Sequence, residues 1–183
     1  MFDSEKVKQA VRLLIEGIGE NSQREGLLET PDRVMRVYQD CLAGYDENPA
    51  DHVKLFKAES HAMITVSNME FYSYCEHHLE KFRGHISAAY IPNEHIVGLS
   101  KIPRIAKAFC RRLQVQERLT LQIADAMQEL LKPQGVAVQI RAVHGCMVDR
   151  GVRMNGVETI TTEVRGLFLH DEKARNEFLQ TIN

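Results

Sequence analysis

The sequence carries almost no net charge: Lys and Arg number 23 against 25 Asp and Glu, a formal balance of -2. So small an imbalance excludes a general electrostatic hold on nucleic acid or on an acidic membrane, and any anion must be met by a local cluster of charges. Long apolar runs are missing as well. The opening MFDSEKVKQAVRLL mixes charges with apolar residues, so neither a signal peptide nor a membrane span is expected, and the chain reads as cytoplasmic. Cysteine is scarce. Cys41, Cys75, Cys110 and Cys146 are too scattered, in a chain without an export signal, for a disulfide framework, which leaves reduced thiols or metal ligands. The N-terminal third has no repeat and no low-complexity segment, and SKIPR is not a phosphate-binding P-loop.

What is present suits one soluble globular domain with a real core: 183 residues, 44% hydrophobic and 26% charged. Residues 4 to 19 put Val7, Val11, Leu14 and Ile15 on one helical face, and ETPDRVMRVYQDCL predicts a second helix opened by Thr30 and Pro31, with a loop over AGYDENPADH. These make a small helical region, residues 1–60. Within residues 61–183 the pattern changes to AMITV, EFYSY and GHISAAYI, short β-branched and aromatic runs that predict strands.

Two helices are expected next. GLSKIPRIAKAFCRRL spaces Ile102, Ile105, Phe109 and Leu113 by three and four, with Ser100 as cap, and QERLTLQIADAMQELL does so with Leu119, Ile123, Ala126 and Leu130. GVAVQIRAVHGCM then alternates, which carries an apolar strand face through Val138, Ile140 and Ala142 to His144 and Cys146. Asn155-Gly156 predicts a hairpin turn, and DEKARNEFLQTI a closing helix. The order of elements points to an α+β fold, an antiparallel β-sheet with two helices packed on one face.

The stretch YCEHHL sets Cys75, Glu76, His77 and His78 side by side, a combination that packing does not ask for. Cys75 and His78 suit a tight turn gripping one ion, while His144 and Cys146 share the later strand face, and together they read as a zinc site. Spacing leaves two arrangements open. One is a closed structural site of Cys75, His78, His144 and Cys146; the other is an open catalytic site with three protein ligands and imidazoles free for proton transfer. Lys101 and Arg104 follow Ser100 at a helix start, and Arg150 and Arg153 flank Gly151, groups that suit a polyphosphate. Glu117 lies at a helix start, where a carboxylate ordinarily serves the helix dipole. It becomes a base reader if the ligand is a guanine nucleotide, because it can accept two hydrogen bonds from the guanine edge.

The strings YCEHHL, YIPNEHIVGLSKIPRIAKAFCRRLQVQERLTLQIA and GVAVQIRAVHGCMVDRGVR, in this order, resemble GTP cyclohydrolase I. The resemblance runs from TPDRV to RGLFLHDEKARNEFL. It implies a zinc-dependent hydrolase of a cyclic amidine that opens the imidazole ring of GTP, releases formate and recloses the chain to 7,8-dihydroneopterin triphosphate, at the entry to tetrahydrofolate and pterin synthesis. It also implies one Zn2+ per subunit on Cys75, His78 and Cys146, with His77 and His144 as acid-base groups. Glu117 with Gln116 matches the guanine side; Ser100, Lys101, Arg104, Arg150 and Arg33 match the triphosphate side. Glu76 falls to a supporting place beside the ligands.

The implied architecture is the tunnelling fold over residues 61–183, in a homo-oligomer, commonly a decamer, whose active sites are shared between subunits. GTP is the expected small-molecule partner, with no nucleic acid and no membrane. Glu80 and Lys81 stand where many relatives carry apolar or proline-containing sequence, and Asp149 precedes Arg150 where a neutral residue is commoner. Two rival readings keep the zinc: an enzyme that opens GTP to a different product, and a zinc-stabilised binding or assembly protein that leaves GTP untouched.

Overall fold

The computed structural model describes residues 2 to 182. It begins with α1 (Ser4–Gly17) and α2 (Thr30–Cys41), where the hydrophobic spacing places them. Asp3 caps α1 by accepting the Lys6 N–H at 3.0 Å, and Pro31 sits in the first turn of α2, where its missing N–H removes no bond. The apolar face of α1 is only partly used: Ile15 is buried, but Leu14 is 64% exposed. The expected loop after α2 contains two short 3-10 turns, Ala43–Tyr45 and Pro49–His52.

The chain continues through β1 (Leu55–Lys57), β2 (Ile64–Cys75), β3 (Lys81–Ile91), β4 (His95–Val97), α3 (Lys101–Cys110), β5 (Leu113–Gln114) and α4 (Gln116–Leu131). It ends with β6 (Gly135–His144), α5 (Gly145–Val148), β7 (Thr159–Gly166), α6 (Leu167–His170) and α7 (Glu172–Thr181). The main sheet has the order β5-β2-β3-β6-β7, and β1 pairs with β4 apart from it. All its neighbours are antiparallel except the two-residue β5, which runs parallel to β2 through Tyr74↔Leu113 and Cys75↔Gln114. This is the expected α+β architecture, of the tunnelling type, with the helical region ahead of it.

One sheet face carries α3 and α4. Ile86 and Tyr90 from β3 and Val138 and Ile140 from β6 meet Ile102 and Ile105 of α3 and Leu119, Ile123 and Met127 of α4 in a single apolar cluster. Ile105 and Ile123 are fully buried, and cutting either to Ala should cost about 2–5 kcal/mol. The other face is covered at its far end: Ala89 and Ala137 pack with Phe168 of α6 and Phe178 of α7. Asp171 starts α7 by accepting from Lys173 N–H at 2.8 Å and Ala174 N–H at 3.3 Å.

Several expectations are corrected. AMITV and EFYSY belong to one strand, β2, because the asparagine between them does not end it: Asn68 takes φ 54 and makes a bulge, a backbone region that Asn tolerates better than most residues. The buried stripe of α4 is Leu119, Ile123, Met127 and Leu131, four apart, with Ala126 and Leu130 only partly buried. Leu113 leaves α3 for β5, and Ser100 precedes α3 without a side-chain capping bond. Asn155-Gly156 does not join two strands, since β6 stops at His144 and the next strand begins at Thr159.

Candidate active site and metal centre

The turn that carries Cys75 and His78 is built by a hairpin. Cys75 ends β2, and its N–H donates to Glu80 O at 2.8 Å while Leu79 N–H donates back to Cys75 O at 2.9 Å. Leu79 adopts φ 54 to make so short a reversal. Cys146 reaches the turn from the opposite side, and here the strand expectation fails: β6 ends at His144, and Cys146 lies in the helical turn α5. Gly145 permits that change of direction, because a Cβ there would lie 3.0 Å from Lys81 O. Cys75 Sγ, a His78 ring nitrogen and Cys146 Sγ lie within 4.8 Å of one another.

These donors fit zinc. Around a tetrahedral ion, sulfur at about 2.3 Å and nitrogen at about 2.0–2.1 Å stand roughly 3.5–3.8 Å apart, so the three need only a small inward adjustment. Burial pushes the Cys146 thiol up, the neighbouring Cys75 pushes it further, and Arg150 only partly opposes them. A divalent ion between two sulfurs removes that conflict. His77 Nδ1 is 3.9 Å from Cys75 Sγ, and its ring stands edge-on to His78 with centroids 6.2 Å apart.

His144 stays outside the cluster. Its ring lies parallel to Phe82, with centroids 4.6 Å apart, and its Nε2 is 2.8 Å from Gln116 Oε1. The orientation of that amide is dictated by its other end. Gln116 Nε2 is 3.1 Å from Ile140 O and 2.9 Å from Thr159 O, groups that only accept, so Oε1 must face the ring and His144 Nε2 must donate. Burial lowers the His144 pKa, and the charge of Glu117 raises it in opposition. The first turn of α4 thus brings both Gln116 and Glu117 to the imidazole.

Of the residues expected on the phosphate side, Arg150 follows the Cys146 turn directly, and the others lie elsewhere in the chain. Pro103, in the first turn of α3, lines a cavity with Met69, and Met69 precedes Cys75 by six positions along β2. Ser100, Lys101 and Arg104 stand at the start of α3, whereas Cys75 ends β2. Arg33 is exposed on α2 and pairs with Glu29, the residue just before that helix. Arg150 is exposed just after α5. The unusual Lys81 turns its ammonium over the rings of Tyr72 and Tyr74, at 5.3 and 5.5 Å. Sequence reasoning missed Phe82, an ordinary apolar strand residue with no signal of its own, and Arg118, whose place beside Glu117 was the available clue.

The family model described as GTP cyclohydrolase I matches residues 7–183. A protein of Clostridium perfringens named GTP cyclohydrolase 1 is 45% identical over 100% of both chains. One of Thermoanaerobacter pseudethanolicus with the same name is 48% identical over 100% of this chain and 98% of its own. The GTP cyclohydrolase 1 2 of a Nostoc species is 49% identical over 95% of this chain and 82% of its own.

Proposed function

The chain belongs to the GTP cyclohydrolase I family, and on that premise we propose that Cys75, His78 and Cys146 hold one catalytic zinc ion, with His77 and His144 moving protons beside it. The observation that carries this reading is the separation of roles in the geometry: three donors converge within 4.8 Å, while His144 is bound to Gln116. A closed four-ligand structural site needs a His144 nitrogen in the cluster, and among the described residues the cluster holds Cys75, His78 and Cys146 alone. When bound, the ion supplies a water made nucleophilic near neutral pH, for attack at C8 of the purine.

The chain's own groups do the rest. Ring opening places a proton on N7, and the later rearrangement needs proton transfer at the ribose ring oxygen; His77 and His144 divide these two tasks. With its Nε2–H held by Gln116, His144 exchanges protons through Nδ1. Stacking on Phe82 holds the ring plane, so the exchange is aimed. Glu117 accepts from N1–H and the 2-amino group of guanine, which selects GTP over ATP. Gln116, whose amide is engaged inside the chain, serves the base indirectly.

Ser100, Lys101, Arg104, Arg150 and Arg33 bind the triphosphate. The first turn of α3 and the turn that follows β2 are separate parts of the fold, so a neighbouring subunit can supply one while this chain supplies the other. This supports a homo-oligomer, a decamer in the family pattern, in which one subunit offers the metal and a neighbour the phosphate-binding turn. Among the described residues no helix is long and apolar enough to cross a membrane. The reading is tested by incubating zinc-loaded protein with GTP and following formate and the mass of the oxidised pterin, with an EDTA-treated control. Metal-dependent formate with neopterin triphosphate is expected. Intact GTP beside tightly bound zinc would return the site to a structural role, and a different product mass would change the endpoint of the reaction.

A further inference from the structure

Arg118, which sits one residue beyond Glu117 in the first turns of α4, joins three separate pieces of the site. Its Nε donates to Gln114 Oε1 at 3.0 Å, one terminal nitrogen donates to Leu113 O at 3.0 Å, and the same nitrogen pairs with the carboxylate of Glu76. Glu76 lies inside the ligand turn, between Cys75 and His77, and its own N–H donates to Gln114 O at 3.0 Å. Gln114 is 1% exposed and immobile, since its amide nitrogen also donates to Phe109 O at 3.1 Å and to Gln122 Oε1 at 2.8 Å. The guanidinium therefore reaches from a fixed base to the flank of the turn that carries two of the three zinc donors.

We propose that Arg118 is a positioning residue that locks the Cys75–His78 turn in its zinc-binding shape and fixes it relative to the Gln116–Glu117 turn of α4. The inference rests on the zinc reading above. Without the lock, the turn keeps its hairpin hydrogen bonds at Cys75 and Leu79, but Glu76, exposed at its outer side, is tied down only through its backbone. His78 is itself exposed, whereas the Gln114 that holds Arg118 is buried. Donors held in place lose less freedom when they take up an ion, and partners that orient ligands in this way typically change metal affinity by about 10–100-fold. Lysine cannot replace the fork, since one ammonium lacks the set of fixed guanidinium donors that meets Gln114, Leu113 and Glu76 together.

Charge and position predict opposite signs, which makes the inference testable. Removing a cation near a zinc site should tighten the ion by plain electrostatics, whereas removing a lock should loosen it. Zinc affinity would be measured by competition with a chromophoric chelator for the intact oligomer and for Arg118→Gln, Arg118→Lys and Glu76→Gln, with thermal melts of the metal-free proteins alongside. We expect Arg118→Gln to bind zinc about 10-fold or more weakly, Arg118→Lys to recover only part of the loss, and the loss in Glu76→Gln combined with Arg118→Gln to fall short of the sum of the two. Wild-type affinity or tighter in a folded Arg118→Gln protein would overturn the proposal, as would strict additivity. If Arg118→Gln does not fold, Glu76→Gln against Glu76→Gln with Arg118→Lys decides by the same criterion of additivity. A wild-type protein that takes up no zinc would overturn the underlying metal reading, and is distinguished by needing no variant.

Discussion

Gln116 Oε1 accepts the Nε2–H of His144 at 2.8 Å, and the same amide donates to two strand carbonyls, so one buried side chain sets both the strand edge and the tautomer of the imidazole. Behind it, Thr120 Oγ1 donates to Gln116 O at 2.8 Å and stands 2.6 Å from Thr161 Oγ1. Since the Thr120 proton is committed to the carbonyl, Thr161 donates to Thr120 and accepts from Gln116 Nε2 at 3.1 Å. Every member of this small network has a partner, which is the condition under which buried polar groups stabilise.

Gln116→Met keeps the volume but removes the amide from a site where Gln116 is 1% exposed. Ile140 O and Thr159 O lose a donor, at a cost of about 1–3 kcal/mol for each group left unpaired. Urea denaturation should show a lower midpoint with an unchanged slope. The rate of formate release should fall with little change in the KM for GTP, because a freed His144 ring spends time in the wrong tautomer while Glu117 still reads the base.

His144→Ala separates the catalytic from the structural zinc. The ring lies against Phe82 and outside the three-donor cluster, so the variant should retain one zinc per chain by metal analysis while formate release falls by about 10²–10⁴-fold, the usual weight of an acid-base group. Loss of zinc together with activity would place His144 among the ligands.

The readability of this site in the sequence followed from how local each instruction is. The ends of α4 are legible because both are local: the strand-like Val115 stands before Gln116, and Lys132 takes a left-handed φ of 46 just ahead of Pro133. The ligand turn is legible because a tight turn keeps Cys75 and His78 close in sequence and in space. Cys146 meets Cys75 and His78 from a helical turn and not from the expected strand, since alternation extends through Gly145 only until the backbone turns. The link from Gln116 to His144 spans 28 residues, and that from Arg118 to Glu76 spans 42. No spacing rule relates positions so far apart, and only the register of β2, β3, β5 and β6 brings them together.

Cys110 should be chemically silent in the native protein. Burial on the inner face of α3 pushes its thiol from 9.0 up to about 12, so almost none is thiolate at pH 8. Iodoacetamide should label it only after unfolding. The sign for stability follows: the folded state holds the proton more tightly than the unfolded chain, so this contribution is intact below about pH 9 and is lost as the pH rises through 9 towards 12. Chemical denaturation across that window, compared with Cys110→Ala, isolates the part due to this thiol.

The separation of the two halves of the site in the fold makes subunit sharing a genetic question. Lys101 and Arg104 lie in the first turns of α3, whereas Cys75 ends β2, His144 ends β6, and His78 and Cys146 follow those strands. If each working site takes its metal from one chain and its phosphate-binding turn from a neighbour, Lys101→Ala and His144→Ala disable different contributors to a site. Each pure oligomer should be inactive. Co-expression, or unfolding and refolding of a mixture, should restore formate release at those sites that draw a normal metal half from one variant and a normal phosphate half from the other. The recovered activity should rise with the proportion of mixed contacts and vanish when the pre-formed oligomers are simply combined without exchange. Activity that never returns in verified mixed oligomers would mean that one chain completes its own site.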